Sequence, residues 1–381
     1  MGAGLTKSIA LPGHPIPAMF DFIPVLADYV SDDVILATLV RLECADPYPY
    51  AFDSPQAREL AQVLRDREAW RSSDNRSRFA RALKNRPNES IEDLLERTSR
   101  QNAKTPSESA NTRFRYAIRR LFTLIGWDVN WDPLLTFLTR QFSLTDVLHT
   151  FVSFNYDLVL DRALQKVLGS RFDIARIYGS HINLVVTGEP PTNVHGAVAG
   201  APTARILSRQ PEGCPFRLLK PHGSLNWFVS ATQAEGPTIV PLAPDGTLRY
   251  VRSTETFQYF EVPGDLPDAF EPCLVTPTKA KKSDRRFLLD IRREEEAAIR
   301  EADEIYILGW SLPRTDEDQE ALIHSSIQRR SRPTTSLTVV NLNAGVEYFF
   351  RVASVFGTPP TSMQTFNAGF VEYASEIRKN T

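Results

Sequence analysis

Cysteine is scarce in this chain: Cys44, Cys214 and Cys273 are the only three among 381 residues, odd in number and far apart. Such a set cannot build a four-cysteine zinc ribbon, and it fits a reducing cytoplasm. Long apolar runs are missing too. No stretch approaches the roughly 18 residues that a membrane span requires. The first residues lack the charged start, apolar core and small-residue cleavage site of a secretory leader. Excess charge of either sign is also absent. The formal net charge is -2, so no global basic field draws the chain to nucleic acid. Internal repeats and low-complexity tracts are lacking. These absences predict a cytoplasmic protein with no direct hold on membrane or nucleic acid.

What remains is an ordinary globular composition, 42% apolar and 24% charged, in a chain long enough for one large α/β domain with inserted segments. Residues 1–381 read as a single domain. The stretch 24–142 reads as a helical insertion. There Ser31-Asp32-Asp33 caps a segment carrying Val34, Ile35, Leu39 and Leu42, and Ser54-Pro55 opens another with Leu60, Val63 and Leu64 on one face. Ser90-Ile91-Glu92-Asp93 begins a third helix and Arg113 to Ile125 a fourth, with a polar loop expected over Gln101–Asn111. Residues 171–213, rich in Gly, Pro and Thr, read as a loop-rich inserted arm. Asp245-Gly246, between Thr238–Leu242 and Leu248–Val251, signals a β-hairpin. From Cys273 onward strands and helices alternate: Cys273–Thr276, Arg286–Glu301, the Ile305 strand, Glu317–Arg329, Leu337–Val340, Gly345–Phe356, Met363–Phe366 and Gly369–Lys379. Alternation of this kind predicts a doubly wound, Rossmann-like parallel sheet.

Four short apolar runs stop at polar residues. Phe151–Phe154 runs into Asn155-Tyr156-Asp157, and a helix ending at Gly169 follows. Phe216–Leu219 runs into Lys220-Pro221-His222-Gly223-Ser224, Glu304–Leu308 into Gly309-Trp310-Ser311, and Leu337–Val340 into Asn341-Leu342-Asn343. In an open parallel sheet the carboxyl ends of the strands line one crevice, and ligands bind there. Asn155, Asp157, His222, Ser311 and Asn341 are therefore expected to converge. Each residue also has a plainer reading. Asn155 or Asp157 can cap the helix that follows, Tyr156 suits packing, and Thr315-Asp316 suits a helix cap. Lys279, Lys281 and Lys282 suit a solvated loop, and Glu294-Glu295-Glu296 a solvated helix face. His14, His149, His181, His195 and His324 suggest no metal site by their spacing.

Gly2-Ala3-Gly4-Leu5-Thr6-Lys7-Ser8, Ser153-Phe154-Asn155-Tyr156-Asp157, Lys220-Pro221-His222-Gly223-Ser224 and Gly309-Trp310-Ser311-Leu312 occur in that order. Together they resemble the sirtuin-like family, whose pattern is a Gly-Ala-Gly loop, an Asn-x-Asp strand end, a His-Gly pair and a Gly-x-Ser loop. Ser224-Leu225-Asn226-Trp227, Thr276-Pro277-Thr278-Lys279 and Leu312-Pro313-x-Thr315-Asp316 look like the bacterial antiphage branch. The chain departs from the deacylase sirtuins in having no paired Cys-x-x-Cys, and Gly2 follows Met1 directly. The strand that precedes the Gly-Ala-Gly loop in the family is thus either encoded upstream or absent.

The resemblance implies an enzyme that cleaves NAD, its substrate, to nicotinamide and ADP-ribose without a metal. By that likeness Asn155 positions water, His222 is the general base and Asp157 supports the developing cation. Gly2, Ala3 and Gly4 approach the pyrophosphate, Thr6 and Ser8 offer hydroxyls, and Gly309, Ser311 and Asn341 hold phosphates and the adenosine ribose. It further implies abortive antiphage defence, a homo-oligomer, and a separate regulator such as a HerA-like ATPase or a short Argonaute. Two other readings stay open: an NAD-dependent protein deacylase, and a non-hydrolytic nucleotide-binding scaffold.

Overall fold

The computed structural model of the protein describes residues 1–12, 16, 22–33, 36–37, 73–84, 107–125, 129–144, 147–169, 172, 177–178, 183–184, 216–229, 238–239, 271–275, 286–313, 316–331, 336–359 and 362–379. In chain order the elements are α1 (Ala3–Ile9), α2 (Phe22–Val30), α3 (Ser73–Lys84), α4 (Ser107–Ile125), α5 (Asp132–Ser143), β1 (His149–Val152), α6 (Val159–Leu168), β2 (Asn183–Leu184), β3 (Phe216–Leu219), β4 (Gly223–Val229), β5 (Thr238–Ile239), β6 (Glu271–Leu274), α7 (Arg286–Glu301), β7 (Glu304–Leu308), α8 (Glu317–Gln328), β8 (Ser336–Val340), α9 (Val346–Phe356), β9 (Gln364–Phe366) and α10 (Phe370–Lys379).

This is an α/β arrangement with parallel sheets, but the strands fall into three sheets where one was expected. β1 and β3 pair in parallel. β7, β8 and β9 form a second parallel sheet. The third has the order β2-β5-β4-β6, with β4 antiparallel to both its neighbours. Among the described residues no strand joins β1 to β7. Met1 lies between their ends: its amine donates to the Val152 carbonyl at 2.6 Å, and its own carbonyl accepts from the Phe154 N–H at 3.1 Å. One residue on, the Gly2 N–H donates to the Leu308 carbonyl at 3.0 Å.

The period of two in β7 and β8 divides the core between two faces. Ile307, Leu337 and Val339 pack with Ile323 of α8 and with Val352 and Phe356 of α9. Leu308 and Val340 join a larger cluster that includes Phe370 of α10 and Phe137 of α5. Each such side chain, fully buried, contributes about 1.5–3 kcal/mol, so helices on both sides clamp this sheet. The amino-terminal helices extend the larger cluster. Ile23, Leu26 and Val30 of α2 lie in it with Phe79 and Leu83 of α3 and Leu121 of α4.

Local chemistry explains where elements begin and end. Asp33 caps a turn of helix, its carboxylate accepting the Leu36 N–H at 2.6 Å while pairing with Arg120 of α4 at 2.6 Å. Pro133 stands in the first turn of α5, and Gly169, at φ +55°, closes α6. Two expectations need correction. Gln101–Asn111 is not all loop, because α4 begins at Ser107, where Ser and Glu suit a first helical turn. Glu295 is not on a solvated face: it is buried on α7, where its carboxylate accepts from Gln319 of α8. The segments opened by Ser54-Pro55 and Ser90, nearly all of the 171–213 arm, the Asp245-Gly246 hairpin and Lys279, Lys281 and Lys282 lie outside the described residues.

Candidate active site

Parallel pairing of β1 with β3 sets Val152 opposite Leu219. Three residues beyond that pair on each strand stand Asn155 and His222. The ends of two paired strands therefore lead into the turns that carry them. The Ser153 N–H donates to the Leu219 carbonyl at 2.9 Å and continues the pairing past the strands. His222 Nδ1 lies 3.3 Å from the carbonyl oxygen of Phe154, the residue before Asn155. A carbonyl only accepts, so this contact calls for the proton on Nδ1, and in the neutral imidazole Nε2 then carries the lone pair. Gly223 makes this turn possible. Its φ is +81°, and a Cβ there would stand 2.0 Å from the Cys273 carbonyl oxygen. The Val275 N–H donates to the His222 carbonyl at 2.9 Å, and the Tyr156 hydroxyl donates to the Val275 carbonyl, so both turns are tied to the end of β6.

Below these turns runs a buried polar column. Asn155 Nδ2 donates to Thr6 Oγ1 at 2.9 Å, and the Thr6 hydroxyl donates to Asp157 Oδ2 at 3.0 Å. Asp157 Oδ1 accepts the Val159 N–H at 3.0 Å, so Asp157 caps α6 as well. Deeper still, Lys220 Nζ donates to the Asp157 carbonyl oxygen at 2.6 Å, to Ser224 Oγ at 2.8 Å and to Asp161 Oδ2 at 3.1 Å. Asp161 also accepts from the Tyr178 hydroxyl. Burial pushes the carboxyls of Asp157 and Asp161 above the usual range, outweighing the pull of Lys220.

A second cluster forms at the turn after β7. Gly309, at φ +60°, lets the backbone double back so closely that a Cβ would stand 2.1 Å from the Leu5 nitrogen. The Gly4 N–H donates to the Gly309 carbonyl at 2.9 Å. A Cβ on Gly2 would stand 2.6 Å from the Trp310 Cα. The two glycine motifs thus interlock, and Gly2-Ala3-Gly4 opens the helix α1 rather than a loop. Trp310 is buried, its ring 5.1 Å from that of Phe154, which lies 5.5 Å from the His222 imidazole. These aromatics connect the two clusters. The Trp310 carbonyl accepts from the Tyr348 hydroxyl at 2.6 Å and from Asn341 Nδ2 at 3.5 Å. Burial pushes the Tyr348 hydroxyl up to about 12.

The sequence-predicted residues therefore separate into two neighbouring groups, Thr6, Asn155, Asp157 and His222 in one, Gly2, Gly4, Gly309 and Asn341 in the other. Ser311 is exposed. Ser8 turns back into its own helix, its hydroxyl donating to the Leu5 carbonyl at 2.7 Å. Asp316 occupies the N-cap position of α8 without a side-chain cap bond, and its carboxylate accepts from Trp310 Nε1 at 3.5 Å instead. Sequence reasoning missed Lys220, Asp161, Phe154 and Trp310. A lysine directly after the apolar run Phe216–Leu219, and an Asp four residues after Asp157 on the same helix, were the available signals. Among the described residues no cluster of His, Cys, Asp and Glu has metal-holding geometry, and no helix is long and apolar enough to cross a membrane. No family model matches the chain, and no curated protein matches its sequence.

Proposed function

We propose that the protein is an NAD glycohydrolase of sirtuin-like type, its parallel sheets being parts of a doubly wound, Rossmann-like arrangement. The observation that carries this reading is that the turns bearing Asn155 and His222 follow the parallel partners Val152 and Leu219, with His222 Nδ1 3.3 Å from the Phe154 carbonyl oxygen. A proton on Nδ1 leaves Nε2 suited to accept one.

In this mechanism water attacks the anomeric carbon of the nicotinamide ribose. The carbon–nitrogen bond breaks, and its electron pair returns to the pyridinium ring to give neutral nicotinamide. The proton of the attacking water passes to His222 Nε2, and ADP-ribose is released. Asn155 holds the water, and the buried carboxyl of Asp157 lies behind it as electrostatic support for the oxocarbenium-like state. In this reading phosphates and the second ribose meet Ala3, Gly4, Ser311 and Asn341, which are half-buried or exposed. In a cytoplasm such an activity suits abortive antiphage defence, released by oligomer assembly or by a partner.

The test is nicotinamide release from NAD by the purified protein, alone and with the product of a neighbouring gene. His222→Ala and Asn155→Ala are each expected to lower the rate by at least about 100-fold, the lower range for a positioned acid–base group, in preparations with unchanged circular dichroism. A well-folded His222→Ala protein that keeps most of the activity refutes the mechanism.

A further inference from the structure

Thr6 belongs by sequence to a phosphate loop, yet its hydroxyl is spent elsewhere. Its one proton goes to Asp157 Oδ2 and its oxygen receives Asn155 Nδ2. All three side chains are buried, and the other Asp157 oxygen is held by the Val159 N–H. Turning the Asn155 carboxamide over would set its oxygen against a hydroxyl whose proton is already committed, leaving two buried acceptors in contact. The amide end therefore faces Thr6, and Oδ1 is the end that Thr6 does not engage.

We infer that Thr6 and Asp157 form a positioning relay for Asn155, fixing its carboxamide so that Oδ1 accepts a hydrogen bond from a water or sugar hydroxyl. Its catalytic consequence rests on the hydrolase reading above. An oxygen presented in this way selects O–H donors and disfavours a phosphate oxygen. Thr6 touches no substrate. It acts through Asn155, and its place is fixed because α1 is locked against Gly309.

The test combines kinetics with nuclear magnetic resonance on protein labelled with nitrogen-15 at asparagine, the Asn155 side-chain signal being identified by its loss in Asn155→Ala. In the wild type the Nδ2 protons of Asn155 are expected to exchange with solvent far more slowly than those of exposed asparagines. Thr6→Val is expected to abolish that protection and to lower kcat about 10- to 100-fold, the loss that removing one buried hydrogen-bonding partner gives. KM should change less than about threefold, since ground-state binding is untouched. Thr6→Ser, which keeps the hydroxyl, is expected to restore both readouts. A raised KM with unchanged kcat in Thr6→Val would make Thr6 a substrate ligand and overturn the inference. So would fast Nδ2 exchange in the wild type, a result that needs no variant to fold. A wild type with slow exchange that releases no nicotinamide, alone or with the product of the neighbouring gene, defeats the hydrolase reading and leaves the relay standing.

Discussion

Replacing Lys220 with methionine tests the polar column beneath the site. Lys220 and Asp161 are both fully buried, and the ammonium supplies donors to three oxygens at once. Methionine fills a similar volume and removes every donor. Asp161 then keeps the Tyr178 hydroxyl but loses its countercharge. Breaking a buried pair from one side costs about 3–5 kcal/mol, against a total stability of roughly 5–15 kcal/mol for a folded protein. Protonation of Asp161 is the escape. Burial already holds its carboxyl above the usual range, and without Lys220 it rises further. A group whose folded pKa is raised keeps its contribution at low pH and loses it as pH increases. Lys220→Met should therefore lose about 3–5 kcal/mol near pH 7 and distinctly less near pH 5. Urea unfolding at the two pH values reads this through tryptophan fluorescence, since Trp227 is buried with its ring 5.2 Å from that of Tyr178. Adding Asp161→Asn should recover part of the loss. A deficit under about 1 kcal/mol near neutrality, or an equal deficit at both pH values, refutes the argument.

Two further predictions concern the frame around the site. Burial pushes the Glu295 carboxyl from 4.5 to about 7, against the pull of Gln319, Arg292 and the Met1 amine. Its contribution is complete below about pH 4.5 and disappears as pH rises through 7, so the stability of wild type relative to Glu295→Gln should fall by about 3 kcal/mol between those limits. Comparing the proteins at equal pH cancels the titrating groups that do not interact with Glu295, the Met1 amine excepted, and parallel stability profiles would contradict the assignment. Gly223→Ala meets both a positive φ and a Cβ only 2.0 Å from the Cys273 carbonyl. It is expected to cost about 2 kcal/mol or more; a melting temperature within about 2 °C of wild type would show that β4 and β6 yield without strain.

The strands that deliver Asn155, His222 and Gly309 were legible because each is a short apolar run cut off by polar or glycine residues. β3 and β7 have the bounds that composition suggested. β4 was not legible although Leu225, Trp227 and Val229 alternate through it, since Ser224 and Asn226 are buried as well. Both faces of that strand are covered, so polarity does not mark its outside. The roles of Gly2 and Gly4 were legible only as a need for close approach; that the approaching group is the Gly309–Trp310 backbone depends on contacts between opposite ends of the chain. The partners of Thr6 were hidden for the same reason, because a hydroxyl declares a hydrogen bond without naming its partner.

The interlock of Gly2 and Gly4 with Gly309 has a consequence for synthesis. Thr6 meets Asn155 and Asp157 across 149 and 151 residues of chain, and the helix that carries it is held by a turn farther along still. Contacts so distant in sequence close late, after nearer ones have formed. A ribosome releases the chain in order, and a nascent chain gains its native units as they emerge. Until Gly309 and Trp310 have left the ribosome, α1 lacks the turn that Gly2 and Gly4 pack against, so an unfinished or truncated chain holds Thr6 against Asn155 and Asp157 without that support. On the hydrolase reading, activity should appear only in the completed fold, and carboxyl-terminal truncations that remove β7 should be inert.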